Sequence, residues 1–382
     1  MSGGLTSPRP DHGRPPAPRL EPTAVAAASL VCLPEMTPAR LARLLDHFGG
    51  ARRALAAVGR GEGAAAFAEG RESPDERRAR AARWALAVAD GRIPALLARR
   101  RTRVHVAGGP DDVLPDGPPD RPRVLLAEGE RPDALAAPRV AVVGTRAATP
   151  HGLADAREIG AVLAEAKVTV VSGLAIGIDA AAHVGALDAG GRVVGVLGTG
   201  LDVVYPRRHG ALFERVRDAG LLMSELAYGA QPRPAAFPPR NRIIAALADV
   251  VVVVEATLTG GARITAERAV EYGRPVLAVP GSRRNPAAAG TNALIADGAH
   301  PLLEPGDVLL ALGLQAASRR HDDRQPPVGD AALVWRAMGG EPATLDDLAV
   351  RSTLGADRLS VALRALERDG WIERTRGMWW PR

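Results

Sequence analysis

Five short segments of this 382-residue chain combine glycine, hydroxyl and guanidinium groups in ways that suit an anion. Four are turns: Gly144-Thr145-Arg146, Ser172-Gly173, Gly198-Thr199-Gly200 and Gly260-Gly261. Glycine lets backbone N–H groups approach a phosphate closely, and arginine matches a phosphate with a planar fork of donors. The fifth segment, Phe237-Pro238-Pro239-Arg240-Asn241-Arg242, reads as a helix start. There the positive end of the helix dipole adds to two guanidinia, and Phe237 offers a ring on which a base can stack. Each segment also has a plain structural reading. Glycines permit tight strand-to-helix turns, a phenylalanine fills a core, and arginines solvate a helix end. Four glycine turns together with Arg146 favour the anion-binding reading. Neither GxGxxG nor GxxxxGK[ST] occurs, so no nucleotide cofactor is expected.

Hydrolytic chemistry has weaker support. Asp179 and His183 are four residues apart, a helical spacing that could hold a metal, and Asp202 could complete an acid–base set. No further His or carboxylate cluster lies nearby, and the same spacing suits capping and core roles, so no metal is expected. Cys32 is the only cysteine, which excludes an intrachain disulfide and a cysteine-based metal site.

Six short apolar runs, four of them ahead of these turns, carry the strand signal: Val140–Val143, Val168–Val171, Val193–Leu197, Leu221–Met223, Val250–Val254 and Val276–Val279. They alternate with helical stretches. Continuous apolar strands between helices predict a parallel sheet covered on both faces, an α/β Rossmann-like domain over 124–312. Such sheets bind ligands at the carboxyl ends of their strands, where the four turns fall. Residues 1–23 are rich in Pro, Gly and Arg and read as a disordered tail. Residues 24–107 read as a helical domain, in which Thr37-Pro38 starts a helix that Gly49-Gly50 ends. Residues 108–123 and 313–329 read as linkers. The last segment, 330–382, has the helix, turn, helix and hairpin order of a winged helix.

The formal net charge is +6. Residues 71–103 hold ten Arg against Glu72, Asp75, Glu76 and Asp90, which accounts for all of it. The excess charge therefore lies outside the glycine-turn domain. Arg77, Arg78, Arg80 and Arg83 around Trp84 and Leu86 read as the solvated face of a helix, with auxiliary DNA contact as the alternative. Aromatic residues make up only 3%, so an extended array of stacking platforms is excluded. An apolar stretch at Ala24–Leu33 superficially resembles a signal peptide, but Asp11 and Glu21 interrupt the basic region before it. No apolar run is long enough to span a bilayer, and a cytoplasmic location is expected.

The runs VVGTRxxTxxG, SGLAxGIDxxAH, VLGTGLDxxYP, FPxRNRIIAALAD, VVVEA, ITAERA, GRPVLAVPG and GTNALIxxGA resemble the DprA/Smf family, in order and nearly without gaps over 140–300. The flanks are similar to that family's N-terminal helical (SAM/HhH-like) domain and its C-terminal winged helix. This resemblance implies a DNA-processing protein of natural transformation and recombination. Such a protein binds single-stranded DNA in a Rossmann-domain pocket without catalysis, forms a homodimer and loads the RecA recombinase. It implies Gly144-Thr145-Arg146 as the phosphate-binding turn. Ser172, Gly173, Gly198, Phe237, Arg240, Asn241, Arg242, Gly260 and Gly261 are expected to form the rest of the pocket rim. His209 and Ala262-Arg263 depart from the family's usual residues. Two alternatives remain. One is a nucleoside monophosphate phosphoribohydrolase similar to the LOG group, with Glu267 as acid–base, although Arg263 breaks that group's glycine–threonine step. The other is a duplex-DNA regulator reading through Arg358, Arg364 and Arg368 of the winged helix.

Overall fold

A computed structural model describes residues 18–67, 72–118, 120–314, 325–375 and 377–381. Most of the predicted tail and 315–324 of the second predicted linker lie outside the described residues. The chain divides into two compact units, one up to Ala317 and one from Ser318.

The first unit opens with helices α1 (Pro22–Val31), α2 (Pro38–Phe48), α3 (Ala51–Gly59), α4 (Pro74–Asp90) and α5 (Arg92–Arg100). The Thr37 side chain accepts the Arg40 N–H, and Gly49 closes α2 in the left-handed region, which matches the predicted start and stop. A reciprocal Ser73–Glu76 capping box starts α4. Leu30, Leu44, Val58 and Trp84 are buried in one core with sheet residues Val140, Val142 and Val170.

Strand β1 (Arg103–Val106) turns back through the predicted first linker to β2 (Val124–Glu128). Then follow β3 (Arg139–Val143), α6 (Pro150–Glu165), β4 (Thr169–Ser172), α7 (Ile178–Asp188) and β5 (Val193–Val196). Next come α8 (Gly210–Ala219), β6 (Gly220–Ser224), α9 (Phe237–Leu247), β7 (Val250–Val253) and α10 (Gly261–Glu271). The unit closes with β8 (Val276–Ala278), α11 (Ala289–Ala296), β9 (His300–Pro301) and α12 (Asp307–Ala311). Where the sequence predicts a helical domain over 24–107 apart from the sheet, β1 joins the sheet and α1 lies against β1 and β2.

The sheet order is β1-β2-β6-β5-β4-β3-β7-β8-β9. β2 runs antiparallel to both neighbours, and every pair from β6 to β9 is parallel. Val140 and Val142 point into one core and Ala141 and Val143 into the other, so both faces of β3 are covered. That burial is why these strands read as unbroken apolar runs. From β3 the chain steps outward through β4, β5 and β6, then returns to the opposite side of β3 as β7. This reversal opens a crevice at the carboxyl ends of β3 and β7.

The second unit contains α13 (Gly329–Met338), α14 (Leu345–Ser352), α15 (Ala356–Arg368) and the hairpin β10 (Ile372–Thr375) and β11 (Met378–Pro381). Val334, Leu348, Leu359, Leu363, Leu366, Ile372 and Trp379 form its own core, giving a winged helix. Among the described residues, no helix is long and apolar enough to cross a membrane.

Candidate nucleic-acid interface

The turn after β3 is fixed by its neighbours. Thr145 donates its backbone N–H to the Glu255 carbonyl at 2.7 Å, tying the ends of β3 and β7 together. The Glu255 carboxylate accepts the Thr149 N–H (2.9 Å) and hydroxyl (2.5 Å), which holds the start of α6. Gly144 has no room for a side chain: a Cβ would lie 2.5 Å from Ile178 Cγ1 and 2.8 Å from the Glu255 carbonyl oxygen. Beyond this tight turn Arg146 is exposed and has no ion-pair partner among the described residues. Its guanidinium carbon lies 5.2 Å from the centre of the Phe237 ring. Tyr205 stands on from Phe237 with ring centres 5.3 Å apart at an angle of 32°.

These groups border a crevice of about 530 Å³, lined also by Thr145, Arg240, Asn241, Gly260 and Gly261. Gly260 precedes α10, whose first turn leaves backbone N–H groups without intrahelical acceptors. Asn241 Nδ2 donates to the Gly261 carbonyl at 3.0 Å, fixing α9 against the start of α10. The crevice thus combines one exposed cation, two helix N-termini and an aromatic face.

Several predicted rim residues have other roles. Ser172 is fully buried and donates its hydroxyl to the Val142 carbonyl at 2.7 Å. The Gly173 N–H goes to Asp179 Oδ2 at 3.1 Å. Neither presents a donor to the crevice, because buried Asp179 takes the amides of this turn (Ala175 N–H at 3.4 Å) instead. Burial raises the Asp179 carboxyl, and nearby Arg240 opposes that rise. What Gly173 provides is space, since a Cβ there would overlap the Arg240 guanidinium. Gly198 serves Phe237 likewise: a Cβ would stand 2.9 Å from the ring.

Arg240 and Arg242 do not act together. Two residues on a helix are about 200° apart, so they cannot share a face. Arg240 is buried beside the crevice and donates to the Val196 carbonyl at 2.6 Å, and desolvation lowers it to about 10. It stays charged at neutral pH. Arg242 turns to the other side, where one nitrogen meets both oxygens of buried Glu225 at 2.8 and 2.7 Å. It lines a separate groove of about 1120 Å³ between the α1–α2 connection and the sheet, and is not a crevice residue.

The possible hydrolytic set is not assembled. His183 is fully buried with Nε2 3.2 Å from the Val194 carbonyl, and burial pushes it down to about 4, so it is a neutral core residue. Asp202 accepts the Gly229 N–H at 2.7 Å. Glu267 is exposed on α10 outside the crevice lining. Among the described residues, no group of three or more His, Cys, Asp or Glu could hold a metal ion.

Sequence reasoning did not assign a role to Tyr205, Arg207 or Arg208. Tyr205, Arg207 and Arg208 form the exposed segment that follows β5, and neither arginine has an ion-pair partner among the described residues. An aromatic next to two arginines in a strand-end loop was the available signal. The Arg-rich segment behaves differently: Arg80 pairs with Glu72, Arg78 with Asp75, Arg83 with Glu35, Arg92 with Asp90 and Arg100 with Glu128.

Comparison with known proteins agrees with this architecture. The family model described as DNA recombination-mediator protein A matches residues 113–313, and the DprA winged helix domain model matches residues 318–378. The chain is 41% identical over 266 residues to a putative DNA processing protein DprA of Mycobacterium tuberculosis (strain ATCC 25618 / H37Rv), covering 68% of each. DNA processing protein A of Streptococcus pneumoniae, solved by X-ray methods, matches with TM-score 0.61 and 32% identity over 76% of this chain and 98% of that one. DNA processing protein A of Helicobacter pylori, whose structure was solved to describe its single-stranded DNA binding mode, matches with TM-score 0.47 and 30% identity over 53% of this chain and 90% of that one. With more than half its length matched by the family model and both units accounted for, the chain belongs to the DprA/Smf family of DNA-processing proteins.

Proposed function

We propose that the crevice at the carboxyl ends of β3 and β7 binds single-stranded DNA without chemical turnover. In this reading residues 124–312 are the DNA-binding domain, and the chain acts as a homodimer that promotes loading of the RecA recombinase in transformation and recombination. The observation that carries the DNA reading is the exposed Arg146 guanidinium 5.2 Å from the Phe237 ring, beside the start of α10. Arg146 and the N–H groups of α10 suit a phosphate, and Phe237 with Tyr205 suits an unstacked base. A duplex keeps its bases stacked on one another and offers no such face, so the arrangement favours a single strand. Each base–aromatic stack contributes about 1–3 kcal/mol whatever the base.

Absence of turnover is supported by how the nearby carboxylates are engaged. Asp179 holds two backbone amides and Glu255 holds Thr149, which leaves no free acid–base pair facing the crevice among the described residues. Dimerisation and RecA loading rest on family membership. The crevice assignment is tested by Arg146→Ala in an anisotropy titration with a labelled single strand. Affinity should fall about tenfold or more, about 1.4 kcal/mol, with the folding transition unmoved. Unchanged affinity would remove Arg146 from the site.

A further inference from the structure

The loop after β8 carries two adjacent arginines, Arg283 and Arg284, that the crevice does not use. Both are exposed, and neither has an ion-pair partner among the described residues. Elsewhere in this unit arginines repeatedly meet carboxylates, as Arg121, Arg192, Arg215 and Arg268 do. Two neighbouring cations without a counter-charge repel each other, and an external anion relieves that repulsion.

The loop is held in place. Asn292 and Gly281 exchange two hydrogen bonds, Nδ2 to carbonyl at 2.9 Å and N–H to Oδ1 at 3.1 Å. Asn285 accepts the Ala287 N–H through its side chain at 3.0 Å. The Ala287 carbonyl accepts the Ala256 N–H at 2.8 Å, and the Gly290 N–H returns to the Ala256 carbonyl at 2.7 Å. Ala256 is itself a crevice wall residue. The arginine pair is therefore anchored to the crevice and lies on the same rim, because β8 is parallel to β7 and β7 to β3. Two strand spacings separate β8 from β3, roughly 10 Å, about three stacked nucleotides.

We infer that Arg283 and Arg284 form a second phosphate-binding site, which holds the backbone of a single strand where it leaves the crevice on the β8 side. The inference rests on the crevice reading above and adds the strand's direction and a longer footprint. It distinguishes lengths: an oligonucleotide that fills only the crevice does not reach the pair, whereas a longer one does.

The test compares wild type, R146A and the double variant R283A/R284A on oligothymidylates of about three and about thirty nucleotides, lengths that bracket known single-strand site sizes. The double variant should bind the short strand as wild type does and the long strand about tenfold less tightly. Its plot of log K against log salt for the long strand should flatten by about 1.4, two phosphates at about 0.7 each. Wild-type affinity and slope on the long strand, with R146A still impaired, would overturn the second site and leave the crevice standing. An equal loss on both lengths would also overturn it, since the pair would then act on the crevice itself. If wild type binds neither length, both readings fall.

Discussion

At the scale of single residues, the decisive property of an arginine here is what it already touches. Arg146 and Arg242 are the same side chain in neighbouring parts of the fold with opposite duties. Arg146 is exposed and open to a ligand, whereas Arg242 is buried against Glu225. Removing one member of a buried pair leaves an uncompensated charge. Arg242→Ala should therefore lower unfolding stability by about 3–5 kcal/mol in urea, while the protein that remains folded keeps its single-strand affinity. Selective loss of affinity at unchanged stability would place Arg242 in the site after all. The sequence shows both arginines but not their partners, since Glu225 lies 17 residues away and reaches Arg242 only through the fold. The glycines were legible as close approaches, yet what approaches Gly173 and Gly198, Arg240 and Phe237, was not.

At the scale of elements, the buried parallel strands were legible because both of their faces are covered, which writes apolar runs directly into the sequence. β1 was not. Its four residues, Arg-Val-His-Val, carry two polar side chains and precede a long Pro- and Gly-rich loop, so their pairing with β2 depends on a tertiary return. The α7–sheet contact also explains His183, which could be read as a ligand from spacing alone. Burial holds its imidazole at about 4, below its ordinary 6.5. Between these values the unfolded chain takes up a proton that the folded chain refuses. Stability is thus complete above about 6.5 and is lost as pH falls through about 4. His183→Gln keeps a donor for Val194 and removes this titration. In denaturation series across that window, wild type should lose about 3 kcal/mol more than the variant. Parallel curves would mean that His183 is not held neutral.

For the whole molecule, the net charge of +6 points away from the proposed interface. All of it is accounted for by 71–103, where the structure pairs many of the arginines with carboxylates, while the near-neutral remainder carries Arg146, Arg207 and Arg208 on the carboxyl rim of the sheet without partners among the described residues. Charge that is free and concentrated at a crevice binds a backbone; charge matched within the fold does not. The most direct test of this account is a salt series of binding to one oligonucleotide as a single strand and as its duplex, for wild type and R146A. The single strand should bind more tightly at every salt concentration, and R146A should reduce its slope by about 0.7, one phosphate contact. Duplex bound as tightly as single strand, with neither affected by R146A, would contradict it.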